Sequence, residues 1–204
     1  MTDTIKPGDI HPDSGARLPL PRREDLPPDA LAMFDHFADP NSDTYAGLRG
    51  PGCVRLHSPV LAVRQQEANR YIRREAGITT RERELAILAT ARELDSQFEW
   101  MAHEEPARKA GIPEETIEAI RTRGPLDPLG PDDAVVVRLA REAFTDRKVT
   151  KETYTAALDL FGTQKLVDIS SLMANYAGTA LLLAIFDVQL HEGKKPRLPA
   201  RVPD

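Results

Sequence analysis

The feature that most constrains this chain is an apolar segment that directly follows a helix-start signal. Thr79 and Glu82 have the spacing of a capping box, in which each side chain hydrogen bonds a backbone N–H at the start of a helix. From Leu85 to Ala91 the sequence is then almost continuously apolar and has no polar face to turn toward water. Such a helix must be covered on most sides, by other helices or by a second subunit. The segment therefore predicts a central helix around which the others pack.

Helical spacing of apolar residues recurs between the two ends of the chain. Besides the central helix, the predicted helices span residues 30–37, 59–75, 96–109, 113–122, 134–144, 151–161 and 163–190. The last is long enough to be two helices that meet near residues 175–178. Residues 39–53 are rich in glycine, proline and aspartate and are predicted to form a long loop. Because apolar and polar residues never alternate over five or six positions, the sequence predicts an all-α fold.

Proline-rich segments flank this helical region on both sides. Six of the first 28 residues are prolines, which excludes a regular helix or a central strand, so residues 1–27 are predicted to form an arm. The arm is either disordered or docked on its own or a neighbouring subunit. Residues 193–204 carry three prolines among basic residues and are predicted to form a tail. The interval 28–192 is therefore predicted to be the helical domain that carries the function.

Charge and cysteine content exclude several classes of function. A formal net charge of −5 gives no clustered basic footprint, so we expect no nucleic-acid partner. We expect no membrane partner, because no apolar run reaches the roughly 18 to 20 residues needed to cross a bilayer and the first residues do not resemble a signal peptide. The single cysteine, Cys53, cannot form an intrachain disulfide. These features lead us to expect a cytoplasmic protein.

Three ionisable residues have a spacing that suits proton transfer. Glu99 and His103 are four residues apart, so they lie on one face of the predicted helix 96–109. Glu84 lies in the most apolar segment, where a carboxylate either finds a partner or has its pKa raised by desolvation. His103 is the natural partner. Spacing alone, however, favours roles without function for these residues. Glu99 and His103 would then be a surface pair, and Glu84 would be a first-turn residue favoured by the helix dipole.

These residues fall within a pattern that resembles a known family. The pattern is carried by residues 81–88 (RERELAIL), 98–103 (FEWMAH) and 107–112 (ARKAGI). It resembles the core of the carboxymuconolactone decarboxylase family, whose fold is shared with the alkyl hydroperoxidase AhpD, and weaker similarity extends it over residues 28–190. The resemblance implies an AhpD-like helical bundle with an added proline-rich arm. It also implies a homo-oligomer, which can be a dimer, a trimer or a hexamer.

The peroxidase branch of this family carries a pair of cysteines that the chain lacks. By spacing, its glutamate and histidine fall on Glu84 and His103, but its two cysteine positions hold Ser96 and Glu99. Disulfide-cycling peroxide reduction needs a thiolate and a resolving thiol, so an alkyl hydroperoxide reductase-type activity is the least favoured interpretation. The resemblance instead implies a cofactor-free lyase or isomerase that acts on a small carboxylated or lactone compound, as in aromatic compound catabolism.

In that interpretation the proton steps are divided among three residues. His103 is the proton donor or shuttle, Glu84 orients and charges it, and Glu99 is the second acid or base. No cofactor is implied, and no metal is expected because Glu84, Glu99 and His103 lack a second nearby histidine. The alternative from a different class is a noncatalytic small-molecule-binding or assembly protein that keeps the same fold.

A second group of residues is assigned to binding the small-molecule substrate: His57, Trp100, Asn175 and Tyr176. His57 is more readily explained by helix capping or packing than by substrate binding. Trp100 is more readily explained by a position in the core or at an interface. Asn175 and Tyr176 are more polar than the apolar helix around them requires. Finally, the apolar character of residues 85–91 and 172–186 exceeds what one monomer can cover, which independently favours a homo-oligomer.

Overall fold

The computed structural model describes residues 8–42 and 44–199. Over these residues the chain forms eight α-helices and no β-strand, which confirms the all-α prediction. The helices are α1 (Pro28–Ala38), α2 (Pro51–Leu56), α3 (Pro59–Arg74), α4 (Thr80–Glu93), α5 (Gln97–Lys109), α6 (Glu114–Thr122), α7 (Pro131–Arg141) and α8 (Lys151–Ile185). A 3₁₀ turn covers Arg23–Asp25, and a π-helical turn, Glu142–Asp146, follows α7. Residues 1–7 of the predicted arm and 200–204 of the predicted tail lie outside the described residues.

The capping box at the start of α4 forms as the sequence predicts. The backbone N–H of Glu82 donates to the Thr79 hydroxyl at 3.2 Å, and the backbone N–H of Thr79 donates to the Glu82 carboxylate at 2.8 Å. The prediction of a loop over residues 39–53, in contrast, was wrong for its last three residues, which lie in α2. Pro51 occupies the first turn of α2, where its missing N–H is no disadvantage, so Cys53 lies on a helix and not on a loop.

Helix α8 differs from the prediction at one of its two expected junctions. The junction between residues 161 and 163 is present, because Gly162 adopts a φ of 69° that a residue without a Cβ tolerates. The prediction of a second junction near residues 175–178 was wrong, since the helix continues there without interruption and ends at Ile185. Gly178 therefore stays in a helical conformation, and glycine alone is not a sufficient signal for a helix end.

The chain forms two compact units. One contains the described residues up to Glu67 together with Leu181–Lys195, and the other contains Ala68–Ala180 together with the described residues from Pro196 onward. The predicted division into an arm at 1–27, a domain at 28–192 and a tail at 193–204 stays a prediction.

The Ala68–Ala180 unit is built around α4. All ten residues from Glu84 to Glu93 are buried, and α4 packs against α5, α6 and α7. Large side chains from these helices and from α8 fill the space around α4, including Trp100, Ile117, Ile120, Ile169 and Leu172. The prediction of a central helix is therefore confirmed. Part of the predicted tail also belongs to this core, because Leu198 is only 4% exposed and its backbone N–H is bound by the Gln97 side chain.

In the other unit, the described part of the arm packs against residues of its own chain. Ala16 is fully buried, and the backbone N–H of Arg17 donates to the Phe186 carbonyl at 2.8 Å. The Ser14 hydroxyl donates to the Leu18 carbonyl at 2.6 Å, which holds the arm in a turn. The proline-rich arm is thus held by backbone hydrogen bonds that need no regular secondary structure.

One helix among the described residues, α8, is long and apolar enough to cross a membrane by length and composition alone. Of its most apolar stretch, 44% is buried in the structure, and Leu166, Ile169 and Leu172 on this helix lie in the core cluster. One helix of this length and composition is weak evidence for a membrane span.

Candidate proton-transfer site

The two residues expected to form an acid–base pair are in direct contact. Helices α4 and α5 pack against each other and bring the Nδ1 atom of His103 to 2.7 Å from the Oε2 atom of Glu84. The Glu84 side chain is 3% exposed and the His103 side chain is 14% exposed. The carboxylate is therefore buried, while part of the imidazole ring stays accessible to solvent or to a ligand.

The protonation state of Glu84 follows from its surroundings. Burial alone would raise its pKa, but the hydrogen bond and charge of His103, together with Arg83, outweigh burial and hold the pKa of Glu84 below its ordinary value. The Nε atom of Arg83 donates to the second carboxylate oxygen at 3.1 Å. Glu84 is thus ionised near neutral pH and accepts two charge-assisted hydrogen bonds.

An ionised carboxylate also sets the tautomer of the imidazole. Since Glu84 can only accept, the Nδ1 atom of His103 carries the hydrogen in this contact, and in the neutral ring Nε2 is then the proton acceptor. The pair therefore presents one basic nitrogen, with a negative charge behind it that stabilises the ring once it takes up a proton.

Tyr176 on α8 packs against the His103 ring from another side. The two ring centroids are 5.1 Å apart and the planes meet at 85°, which is an edge-on contact. The Tyr176 side chain is buried, and its hydroxyl accepts a hydrogen bond from Nη1 of Arg73 at the end of α3. Burial raises the pKa of Tyr176 to about 12, so the phenol is neutral at physiological pH.

Arg83 closes these contacts into a ring. Its Nη1 atom donates to the Arg73 carbonyl at 3.2 Å, while its Nε atom binds Glu84. Arg73, Tyr176, His103, Glu84 and Arg83 therefore form a closed series of contacts, here called the His103 circuit, that joins α3, α8, α5 and α4. Each member is held by two neighbours, so the imidazole orientation is fixed by the helices and not by a loop.

Glu99 lies one turn before His103 on α5. Its side chain is 3% exposed, and its negative charge is among the causes that raise the pKa of Tyr176. Glu99 is therefore within electrostatic range of the His103 circuit, as the spacing of Glu99 and His103 indicated. It also lies in the first turn of α5, where the helix dipole favours a negative charge.

The structure places the other three predicted residues in different settings. Asn175, half-buried on α8, hydrogen bonds its amide to Asn69 of α3 at 3.4 Å, next to the Arg73–Tyr176 contact. Trp100 is completely buried in the core cluster. His57 caps α2 in the other unit, where its Nε2 atom lies 2.9 Å from the Pro19 carbonyl.

Two members of the circuit, Arg73 and Arg83, were not predicted to be site residues from the sequence. A signal for Arg73 was present, because Asn69 and Arg73 are four residues apart and share one face of α3. That polar pair meets the polar pair Asn175 and Tyr176 on α8. Finding the match requires knowing that α3 and α8 are neighbours, which the separate patterns of the two helices do not reveal.

No three histidine, cysteine, aspartate or glutamate side chains within the described part of the chain are grouped so that they could hold a metal ion. A cavity of about 200 Å³ lies elsewhere in the same unit, where α4 and α7 begin. Arg81, Asp133 and Phe161 are among the residues that line it, whereas Glu84, Glu99 and His103 are not.

The model of the carboxymuconolactone decarboxylase family matches residues 59–142, which run from the first residue of α3 to the residue after α7. This match contains Arg73, Arg83, Glu84, Glu99 and His103.

Residues 59–142 belong to the carboxymuconolactone decarboxylase family.

No curated protein and no solved structure gives a significant match to the chain. Tyr176 lies outside the matched segment, so α8 adds a residue to the His103 circuit from a part of the chain that the carboxymuconolactone decarboxylase family model does not cover.

The chain has one cysteine and hence no Cys-x-x-Cys pair. Cys53 is fully buried, and burial together with the charge of Asp13 raises the pKa of its thiol to about 11. A thiol that stays protonated near neutral pH is a poor nucleophile. The chemistry of Cys53 therefore gives no support to peroxide reduction.

Proposed function

We propose that this protein is a cofactor-free lyase or isomerase of the carboxymuconolactone decarboxylase type that acts on a small carboxylated or lactone compound by general acid–base catalysis. One observation carries the proposal: a buried, ionised glutamate, Glu84, bonds the partly accessible His103 at 2.7 Å. A carboxylate behind a histidine is an arrangement that orients the ring and stabilises its protonated form.

The proton steps follow from the chemistry of this pair. In an isomerisation, Nε2 of neutral His103 removes a proton from a carbon next to the substrate carbonyl, and the electron pair moves into a dienolate. The imidazolium then returns the proton at another carbon of the dienolate. In a decarboxylation, loss of CO₂ leaves the electron pair in the dienolate, and a protonated His103 supplies the proton. Glu84 remains ionised throughout and offsets the charge on the ring.

Glu99 is proposed as the second acid or base. A carboxyl group one turn from His103 on the same buried face can exchange a proton at a second position of the substrate, which one imidazole cannot reach by itself. Two groups with separate proton-transfer roles would allow a double bond to be shifted across several carbons.

The noncatalytic alternative is favoured by one specific contact. Glu84 also forms an ion pair with Arg83, at 3.1 Å, and a carboxylate between an arginine and a histidine can serve to hold helices together. In that case the fold would bind a small molecule or assemble without turnover. Turnover therefore separates the two functions.

The test is a steady-state assay with 4-carboxymuconolactone as the probe and CO₂ release as the readout. We expect wild-type turnover and a loss of roughly a hundredfold or more in kcat in His103→Gln, the scale of general acid–base catalysis. His36→Gln replaces an exposed histidine on α1 and serves as the matched control with unchanged turnover. No turnover by the wild-type protein would favour the noncatalytic alternative, and equal turnover by His103→Gln would move the site elsewhere.

We also propose that the protein acts as a cytoplasmic homo-oligomer, either a dimer, a trimer or a hexamer, without a nucleic-acid or membrane partner. Two apolar side chains on α8 support the assembly, because Val167 is 60% exposed and Tyr154 is 53% exposed. A contiguous apolar patch on a surface commonly marks contact with a second subunit, and we propose that these side chains contribute to such a patch.

A further inference from the structure

Arg73 forms no direct ion pair with a carboxylate in the described part of the chain. Its guanidinium donates to the hydroxyl of Tyr176, which is a neutral acceptor. The Arg73 residue is half-buried. The other arginine of the His103 circuit, Arg83, differs because it is paired with Glu84. A half-buried guanidinium that lacks a direct carboxylate partner can bind an anion, and its planar fork suits a carboxylate.

Tyr176 adds a second donor at the same place. Its oxygen already accepts the Arg73 hydrogen bond, so the phenol hydrogen is available to another acceptor. Residues 8–42 and 44–199 supply no acceptor for that hydrogen, although the ring is buried. Because the pKa of the phenol is raised to about 12, the hydroxyl keeps its hydrogen at any pH at which the protein would work.

These two donors lie beside the ring expected to move the proton. The Tyr176 ring contacts the His103 ring edge-on, with the ring centroids 5.1 Å apart, and the Tyr176 hydroxyl is bound to Arg73. Arg83 ties the backbone of Arg73 to Glu84, so the positive charge and the acid–base pair are held at a fixed relative position. A small anion bound by Arg73 and the Tyr176 hydroxyl would thus be separated from the imidazole by one side chain, that of Tyr176.

We propose that Arg73 and the Tyr176 hydroxyl bind a carboxylate of the substrate and place its neighbouring carbon against His103. The inference rests on the proposed function and adds to it the residues that would select an ionised substrate carboxylate over a neutral lactone or ester. Arg73 supplies charge and a two-pronged donor, and Tyr176 supplies a neutral hydrogen bond to the same group. The specificity for an anion then resides in α3 and α8, while the proton chemistry resides in α4 and α5.

Binding can be measured separately from turnover by calorimetric titration with muconate, a small unsaturated dicarboxylate, and with its dimethyl ester as the neutral probe. We expect saturable binding of muconate that weakens with added salt, and weak binding of the ester. Arg73→Gln should weaken muconate binding by roughly ten- to a hundredfold, the factor for loss of a charge-assisted hydrogen bond. Binding of the ester should stay the same in this variant.

Three further variants isolate the cause. Arg73→Lys keeps the charge without the fork and should bind muconate with intermediate affinity. Tyr176→Phe keeps the ring contact with His103 and should lose affinity by several-fold to about tenfold. Arg70→Gln changes an exposed arginine on the same helix and should bind as the wild type does. Circular dichroism of each variant establishes that it is folded before its affinity is compared.

The outcomes distinguish this inference from the proposed function. If His103→Gln loses turnover but keeps muconate binding, and Arg73→Gln loses binding, the results support both the proposed function and the carboxylate site. If His103→Gln turns over normally while Arg73→Gln loses binding, the proposed function fails and the carboxylate site remains. Muconate affinity that is unchanged in folded Arg73→Gln, or no saturable binding by the wild-type protein up to about 10 mM, the weak end of specific binding, overturns the inference.

Discussion

The Oε2 atom of Glu84 lies 2.7 Å from the Nδ1 atom of His103, and this contact joins the buried face of α4 to a partly accessible ring. It combines two properties that rarely occur in an ordinary surface pair. The carboxylate is shielded from water, which strengthens its hydrogen bonds, and it remains ionised because two donors bind it. The contact is therefore suited to controlling the charge and orientation of the imidazole.

Replacement of Glu84 by glutamine should impair the proton steps. Glu84→Gln keeps the size of the side chain but removes the negative charge that stabilises protonated His103. We expect kcat with 4-carboxymuconolactone to fall by roughly a hundredfold with little change in KM, because the lost interaction strengthens as the proton is transferred. The matched control is Glu118→Gln, which removes an exposed carboxylate paired with Arg121. A kcat equal to that of the wild type would show that Glu84 serves only to hold the helices.

The stability of the protein should depend on Glu84 at acid pH. The folded-state pKa of Glu84 is lower than its unfolded value, so the ionised carboxylate stabilises the fold above the ordinary glutamate pKa of about 4.3. This contribution disappears as the pH falls through the lower folded-state pKa. Urea unfolding from pH 7 to pH 3 should show a smaller loss of unfolding free energy in Glu84→Gln than in the wild type. Parallel pH curves for the two proteins would contradict this assignment.

The capping box should contribute measurably to the stability of α4. Thr79→Ala removes the hydroxyl that accepts the Glu82 backbone N–H, and it should lower the unfolding free energy by about 1 kcal/mol. Thr79→Ser keeps the hydroxyl and is the matched control, with a much smaller change. Both values come from urea titration at pH 7. An alanine variant as stable as the serine variant would mean that packing of the buried helix, and not the cap, fixes where α4 begins.

Cys53 should be dispensable for chemistry. Because its thiol is buried and its pKa is raised to about 11, Cys53→Ala should leave turnover of 4-carboxymuconolactone unchanged, apart from a modest loss of stability. Neither protein should reduce an alkyl hydroperoxide in the presence of a dithiol. Peroxide reduction that is lost in Cys53→Ala would restore the peroxidase alternative.

Assembly should be visible in solution. Sedimentation equilibrium at micromolar concentration should give the mass of a homo-oligomer. Val167→Glu, which places a charge on an exposed apolar position of α8, should shift the distribution toward monomer. Lys151→Glu at the start of α8 introduces a glutamate at an exposed polar position and should leave the mass unchanged. A monomeric mass for the wild-type protein would contradict the proposed assembly.

Local signals in the sequence were sufficient for much of the fold. Thr79 and Glu82 marked the start of α4 because a capping box is a short-range arrangement, and the apolar residues after it required burial wherever the helix lay. The helix continues through Gly178 because the burial of its neighbours Tyr176, Thr179 and Ala180 outweighs the low helix propensity of one glycine. Pro51 began a helix that the glycine-rich surroundings concealed.

Three of the five members of the His103 circuit, Glu84, His103 and Tyr176, were predicted from the sequence and the resemblance. The pairing of Glu84 with His103 could be inferred because the buried carboxylate required a partner and the resemblance supplied one. Arg73 could not be found, since its contact with Tyr176 joins residues 103 positions apart, on two helices whose packing neither pattern specifies. Long-range pairs of this kind depend on tertiary structure and not on local spacing.

The most direct test of the central claim, that Glu84 and His103 act together in proton transfer, is incorporation of deuterium from D₂O into 4-carboxymuconolactone or its product, followed by NMR. We expect deuterium at a defined carbon with the wild-type protein and almost none with either His103→Gln or Glu84→Gln, while His36→Gln behaves as the wild type. Incorporation at the wild-type rate in folded His103→Gln would exclude a proton-transfer role for His103, because the proton would then reach the substrate without the imidazole.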